Sequence, residues 1–461
     1  MKLFDDTIIG ISTALSKGAI SIIRLSGDDA IKIVNKVFKG IDLSKVEPNT
    51  INYGHIVDFD SCQIIDEVLV SIFKAPKSYT KEDVVEINCH GGLFVTNKIY
   101  EQLVLLGARP SEPGEFTKRA FLSGRIDLTK AEAVMDVINA ENSAALKIAN
   151  SALNGKISTF VDQKRQELLD IIATISVNID YPEYDDVEQL TNEDILPKLK
   201  TIKLELEDVL NNSKSAKLLK NGINTVIVGK PNVGKSSLLN TLIGENKAIV
   251  TNIPGTTRDI VEASINLGQV TLNLIDTAGI RITEDVVEKI GVTKAKKYAM
   301  DADLIVYVVD SSVPLDENDL DILELIRDKK SIILYNKSDL DSKVSLEELS
   351  SRISSDTKII KTSTKENTGF DEFSKAVEAL FFQGKIGNDQ EVMITNMRHK
   401  QALSESLLGL QEVKNSLINQ MPEDFYSIDL MNAYASLGRI IGEEIDDDLV
   451  TEIFSKFCMG K

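Results

Sequence analysis

The sequence predicts a multidomain α/β protein: an N-terminal α+β domain, a helical bundle, and a P-loop α/β domain inserted into that bundle. Three observations predict it. Residues 1–118 mix short β-like runs with a helix, and residues 119–215 carry apolar side chains at three- and four-residue intervals with little Gly or Pro. That helical texture breaks at a strand followed by the phosphate-loop pattern "GKPNVGKS" (229–236), and it resumes near 383. At 461 residues the chain is also too long for one ordinary core.

The elements follow in order. "AISIIRLSG" (19–27), "DEVLVSIFKA" (66–75) and "EDVVEINCHGG" (82–92) read as strands, and "LFVTNKIYEQLVLLG" (93–107) as an amphipathic helix closing on Gly107. "DLTKAEAVMDVINAENSAALKIANSAL" and "ISTFVDQKRQELLDIIATISVNI" read as bundle helices. Polarity rises at "NNSKSAKLLKNG" (211–222), and "INTVIVG" (223–229) opens alternating strands and helices that run to the linker-like "FFQGKIGND" (381–389). The expected domains are therefore 1–118, a helical part at 119–215, the α/β insertion at 216–382, and a second helical part at 383–461.

Composition bounds the function. There is no Trp, and no apolar run approaches the roughly 18–20 residues of a membrane span. "MKLFDDTIIG" places acids where an export signal needs bases. Three cysteines, Cys62, Cys89 and Cys458, make no disulfide framework, so the expected location is a reducing cytoplasm. A net charge of −19 argues against a basic face that holds nucleic acid by itself. If a nucleic acid is the substrate, a more basic second protein is expected to hold it.

The phosphate loop gives the chemistry. Gly229 and Gly234 let the backbone curl, so that N–H groups from Asn232 and Val233 through Ser236 and Ser237 face phosphates. The following helix adds its positive N-terminal end. Lys235 reaches the β- and γ-phosphates, and the Ser236 hydroxyl can ligate Mg²⁺. "DTAG" follows the apolar "TLNLI": Asp276 is placed for outer-sphere Mg²⁺ contact and Gly279 for sensing the γ-phosphate, with Thr277 and Ala278 between them. "NKSD" follows "SIILY" and chooses the base. Asp339 can accept from the N1–H and exocyclic amine of guanine, Asn336 can serve the other edge, and Lys337 can lie along the ring. Ser363, Thr364 and Lys365 stand where a second base-contacting loop belongs. The nucleotide is thus GTP, and the insertion reads as a Ras-like α/β G domain. Ile280 replaces the glutamine that positions water in Ras-like enzymes, so hydrolysis must be organised otherwise. Candidates lie in the loop Thr251, Asn252, Ile253, Pro254, Gly255, Thr256 and Thr257, and in the acids of "TEDVVEK" (283–289).

With "RLSG", "EINCHGG", "PGEFTKRAF", "GKPNVGKSSLLN", "IPGTTRD", "DTAGIR" and a terminal Cys-x-Gly-Lys, the chain resembles the MnmE (TrmE) family of tRNA-modification GTPases along essentially its whole length. The resemblance implies a homodimer formed through a folate-binding N-terminal domain, with 5-formyltetrahydrofolate or a related one-carbon donor. It implies a heterotetramer with the FAD-dependent partner MnmG, which carries much of the tRNA contact. Together they would add an aminomethyl-type group at C5 of the wobble uridine in certain tRNAs. It also implies a K⁺-dependent GTPase, with K⁺ held by Asn232, Thr251, Ile253 and Thr256, and Mg²⁺ by Ser236 and Thr257. Glu288 would orient water in place of the missing glutamine, and Arg24, Glu86, Arg125 and Lys461 would contact the folate.

The ending "IFSKFCMGK" (453–461) then reads as a delivered site element: Lys461 as a folate contact turned inward by Gly460, and Cys458 as a participant in the modification chemistry. A thiol at a helix C-terminus gains nothing from the dipole toward thiolate formation. His90, inside "CHGG", is expected to serve local structure. The alternatives are an Era-type ribosome-assembly GTPase switch, which needs a basic RNA-binding module, and a mechanical GTPase. Neither predicts a folate site.

Overall fold

The computed structural model describes residues 5–180, 192–245, 261–275, 302–382, 391–443 and 445–461. By internal contacts the chain divides into two compact units. The first comprises Met1–Met135, Ala152–Leu199 and Glu405–Lys461, and the second Asp136–Ser151 and Lys200–Ser404.

The first unit is built on a seven-stranded sheet. Its strands are β1 (Ile8–Ile11), β2 (Ile20–Ser26), β3 (Phe38–Lys39), β4 (Thr50–Val57), β5 (Ile64–Phe73), β6 (Val84–His90) and β7 (Arg109–Pro110), in the order β3-β4-β5-β6-β2-β1-β7. All pairs are antiparallel except β1 with β7. Period-two alternation sends Ile23, Leu25, Ile56, Val70, Ile72, Val85 and Ile87 to one face, where α1 (Ala30–Asn35) and α2 (Leu93–Leu105) close a core. The sequence predicts a single helix here. It does not reveal α1, because six residues are too few to display a helical period.

The other face of the sheet carries a cross-strand row set by register: Ser71 pairs with Glu86, Glu86 with Arg24, and Arg24 with Gly10. Helix α3 (Glu115–Leu122) is pinned beside this row by a buried ion network. Arg119, fully buried, meets Asp6 at 2.6 Å, Glu82 at 3.0 Å and Glu115 at 3.1 Å. Arg109 adds contacts to Asp6 and Glu115. Burial alone would raise the Glu115 carboxyl, but donors from Arg109, the Glu112 backbone and Arg119 hold it below the usual carboxylate range. The remaining helices of the unit are α6 (Lys156–Asp180), α13 (Glu423–Ile441) and α14 (Asp447–Ser455), with α4 (Leu128–Ile138) entering it through its first turns. Leu128 and Ala131 of α4 pack with Val450, Phe454 and Phe457, which anchors the end of the chain.

The second unit holds a six-stranded sheet of β8 (Ile223–Val228), β9 (Val261–Leu267), β10 (Val270–Ile275), β11 (Leu304–Asp310), β12 (Ser331–Asn336) and β13 (Lys358–Lys361). Their order in the sheet is β13-β12-β11-β8-β10-β9. Only β9 runs antiparallel. α5 (Ser143–Leu153), α8 (Lys235–Glu245), α9 (Glu317–Ile326), α10 (Leu346–Ser350) and α11 (Phe370–Phe382) complete it, and separate apolar clusters cover both faces of the sheet. This is the doubly wound G-domain arrangement that the sequence predicts. Strand order reverses at β8, between β11 and β10, and such a switch point opens a ligand crevice at the strand C-termini.

α7 (Asn192–Asn221) and α12 (Met397–Ile418) run across the division between units. α7 continues through the polar stretch at 211–222 that reads as a boundary in the sequence. Its Ser213, Ala216 and Leu219 are buried at helical spacing, and its lysines and leucines are good helix formers. The linker-like segment at 383–389 lies outside the described residues. Among the described residues no helix is long and apolar enough to cross a membrane.

Candidate functional site

The phosphate loop leaves β8 on Gly229, where φ is 155° and a Cβ would stand 2.5 Å from the Val308 carbonyl. Asn232 adopts a left-handed φ of 63° and Gly234 one of 100°. A side chain at Gly234 would collide with the Asn336 amide. Asn336, fully buried at the end of β12, donates from Nδ2 to the Val233 carbonyl at 2.8 Å. The sequence gives Asn336 an edge of the base. In the structure it ties the end of β12 to the phosphate loop.

Lys235 opens α8 with Ser236 and Ser237 exposed after it, so its charge sits on the positive end of the helix. Its Nζ donates to the Gly229 carbonyl at 2.7 Å and the Lys230 carbonyl at 2.6 Å. Burial pushes its pKa down to about 8. On the base side, the Ser363 hydroxyl donates to Asp339 Oδ1 at 2.7 Å and holds that carboxyl below the usual range. Lys337, left-handed at φ 59°, pairs its ammonium with Asp310 at 2.6 Å. Thr364 and Lys365 follow Ser363 in a short turn closed by the Ser363–Thr368 bridge. One crevice thus offers backbone donors and a lysine for phosphates, and an oriented carboxylate for a base.

The second constellation sits on the open face of the seven-stranded sheet. Arg24 engages Glu86 Oε1 from Nε at 2.8 Å and from Nη2 at 2.7 Å. Its guanidinium carbon lies 5.9 Å from the Tyr79 ring centre and 5.7 Å from that of Phe116. Arg125 stands 4.8 Å from the same Tyr79 ring, so one phenol serves two guanidinium groups. The Tyr79 hydroxyl and that of Thr117 on α3 lie 3.0 Å apart.

The chain's end closes the site. The Gly460 carbonyl accepts from Ser12 Oγ at 3.0 Å and from Arg24 Nη1 at 3.4 Å, and the Cys458 carbonyl accepts from the Gly114 N–H at 3.3 Å. The backbone one residue before Lys461 is therefore held against Arg24, while the Cys458 side chain is exposed. Sequence reasoning names Arg24, Glu86, Arg125 and Lys461 but misses Tyr79, Phe116, Ser12 and Gly10. Phe116 and Gly114 lie within "PGEFTKRAF", a motif whose residues carry no evident chemistry in the sequence alone.

Residues 128–458 match the family model described as the MnmE helical domain, and residues 7–125 match that of the GTP-binding protein TrmE N-terminus. The chain belongs to the MnmE family. Its relatives include the tRNA modification GTPase MnmE of Enterococcus faecalis (strain ATCC 700802 / V583), 49% identical over 458 residues, covering 99% of this chain and 98% of that protein. The proteins of the same name from Bacillus cytotoxicus and Lachnoclostridium phytofermentans are 47% identical over 456 residues and 49% over 463, each covering 99% of both chains.

Several residues that the MnmE resemblance assigns to GTP chemistry lie outside the described residues. They are the loop Thr251–Thr257 with its K⁺ and Mg²⁺ ligands, the stretch Asp276–Gly279, and Glu288. Of the K⁺ set, Asn232 is described: it is exposed, at the left-handed turn of the phosphate loop.

Proposed function

We propose that this chain is a K⁺-dependent GTPase that works with an FAD-dependent partner of the MnmG kind. Together they add an aminomethyl or carboxymethylaminomethyl group at C5 of the wobble uridine of certain tRNAs, using a folate one-carbon donor. As a member of the MnmE family it is a GTP hydrolase acting in tRNA modification. The single observation that carries the finer reading is the row Glu86–Arg24–Gly10 capped by the Gly460 carbonyl.

The donor set fits a folate. A planar heterocycle with amide-like edges calls for a carboxylate and an aromatic neighbour, which Glu86 and Tyr79 supply. A glutamate tail calls for cations, which Arg24, Arg125 and Lys461 supply. When bound, the folate would supply the one-carbon unit. The chain's own residues hold and orient it: Arg24 is fixed by Glu86 and two rings, and the tail lies against β1. Cys458, two residues before Gly460, has an exposed thiol and would take part in the modification chemistry. The ribosome-switch alternative leaves this row without a purpose.

In the G domain, Ser236 with Thr257 would hold Mg²⁺, and Asn232 with the Thr251–Thr256 loop would hold K⁺. A monovalent cation there adds positive charge beside the phosphates, the role an arginine finger plays elsewhere. Lys235 leaves its two carbonyls to meet the β- and γ-phosphates. Homodimerisation is supported by apolar side chains on the sheet: Ile51, Tyr53 and Leu69 are 68%, 60% and 45% exposed, and Tyr53 pairs directly with Leu69. The acidic charge balance leaves most of the tRNA contact to the partner, and the proposed location is the cytoplasm.

Calorimetric titration with 5-formyltetrahydrofolate tests the reading. Wild-type protein binds it, and Arg24→Ala weakens binding more than about tenfold by removing a charge-assisted hydrogen bond. Absence of binding by the wild type overturns the folate reading. Exchange of Na⁺ for K⁺ without stimulation of GTP hydrolysis overturns the K⁺ reading.

A further inference from the structure

The second residue of the phosphate loop, Lys230, is held by two carboxylates at the start of α9. Its Nζ lies 2.6 Å from Asp319 Oδ2 and 2.9 Å from Asp316 Oδ2. These two acids form the capping box of α9: the Asp319 N–H donates to Asp316 Oδ1 at 3.2 Å, and the Asp316 N–H to Asp319 Oδ2 at 3.0 Å. Asp319 is 1% exposed and also accepts from the hydroxyl of Tyr307, a fully buried residue of β11, at 2.7 Å. A continuous chain of polar contacts thus runs from the centre of the sheet to the phosphate loop.

Its end point is the functional lysine. The backbone carbonyl of Lys230 is one of the two acceptors on which Lys235 Nζ rests. With two carboxylates beside it, the Lys230 ammonium is electrically compensated where it stands, and its connection to Lys235 runs through the backbone carbonyl. We infer that Lys230 is a positioning residue for nucleotide retention. Its tether to Asp316 and Asp319 fixes the first turn of the phosphate loop, so that the loop N–H groups meet the phosphates without backbone reorganisation and only the Lys235 side chain has to move. The inference rests on this loop holding GTP, which direct binding checks separately.

The competing role is that of a direct phosphate ligand that swings out of the carboxylate pair when nucleotide arrives. The two roles differ in the sign of one substitution. For a tether, Asp316→Asn weakens the anchor and speeds nucleotide loss; for a direct ligand, it frees the lysine and slows that loss. Asp316 is half exposed, and asparagine keeps the N-cap, so this variant folds.

The test is stopped-flow displacement of mant-GDP from the full-length chain, with GTPase kinetics on the same samples. Lys230→Met raises the dissociation rate about tenfold, since changes at a preformed site fall mainly on release. It raises KM for GTP by a similar factor with kcat within about twofold, the pattern of lost uniform binding. Lys230→Arg, which preserves the ion pair, restores both to within about threefold of wild type. Asp316→Asn accelerates dissociation in the same direction as Lys230→Met. Unchanged dissociation in Lys230→Met overturns the inference, even if its melting temperature falls, and so does slower dissociation in Asp316→Asn. A wild-type chain that fails to bind mant-GDP contradicts instead the nucleotide reading beneath it.

Discussion

Gly10 and Gly460 meet backbone to backbone. A Cβ on Gly10 would stand 2.9 Å from the Gly460 Cα, and a Cβ on Gly460 would strike the Ile11 carbonyl. Gly460 also has a φ of 78°, a conformation that L side chains rarely adopt. The two glycines let the tail lie flat on β1, at the end of the row that holds Arg24 and Glu86.

Gly460→Ala therefore lifts the tail off the strand and carries Lys461 away from the row. Binding of 5-formyltetrahydrofolate falls at least about tenfold, the usual worth of one charge-assisted hydrogen bond. GTP hydrolysis stays within about twofold, since the substitution leaves the phosphate loop untouched. Calorimetry and a GTPase assay on one preparation check both halves.

Nucleotide affinity depends on pH through Lys235. Without ligand its pKa is pushed down to about 8, whereas phosphates require the ammonium. Binding then takes up a proton above pH 8, and GTP affinity falls about tenfold between pH 7 and pH 9. In the nucleotide-free chain the sign is reversed. The unfolded lysine, titrating near ~10.4, binds more protons than the folded one, so this group adds stability as pH rises from 8 toward that value. Calorimetry in buffers of different ionisation enthalpy at pH 8.5 reads the uptake as most of one proton; no uptake contradicts it.

Asp339→Asn exchanges an acceptor for a donor where guanine offers two N–H groups. At ~1.5–3 kcal/mol for each hydrogen bond to a charged partner, GTP affinity falls about 10²- to 10⁴-fold. Xanthosine triphosphate, with a carbonyl in place of the amine, gains in the same variant. Competition binding with the two nucleotides measures the switch.

Arg119→Met leaves Glu82 and Glu115 without their buried cation. The cost is about 3–5 kcal/mol, the usual result of removing one partner from a buried ion network. Calorimetric melting shows the loss as a lower transition for the first compact unit, with nucleotide binding in the second retained.

The G domain is legible in the sequence because its chemistry is local. "GKPNVGKS" encodes a strand exit, three backbone turns and a helix start within eight residues, and "NKSD" ends a wholly buried strand. The structure adds what side-chain partners decide: Asn336 reaches back to Val233, and Ser363 orients Asp339. The row Gly10, Arg24, Glu86 is different. Nothing near Gly10 announces that β1 will pair with β2 in the register that sets it opposite Arg24, because register is a property of the assembled sheet. Resemblance to a family supplies Arg24 and Glu86, while Tyr79 and Phe116 emerge only when a loop and a helix are folded over them. The short helix α1 and the continuation of α7 to Asn221 escape the sequence for a simpler cause, since tertiary burial outweighs local polarity and length.

In the proposed function this GTPase is required for modification at C5 of the wobble uridine. Mass spectrometry of nucleosides from the tRNA of a strain lacking the chain tests it most directly. Aminomethyl and carboxymethylaminomethyl uridines are expected to disappear, and wild-type protein to restore them while a Lys235→Ala variant does not. Wobble uridines that remain fully modified in the deletion strain would contradict it.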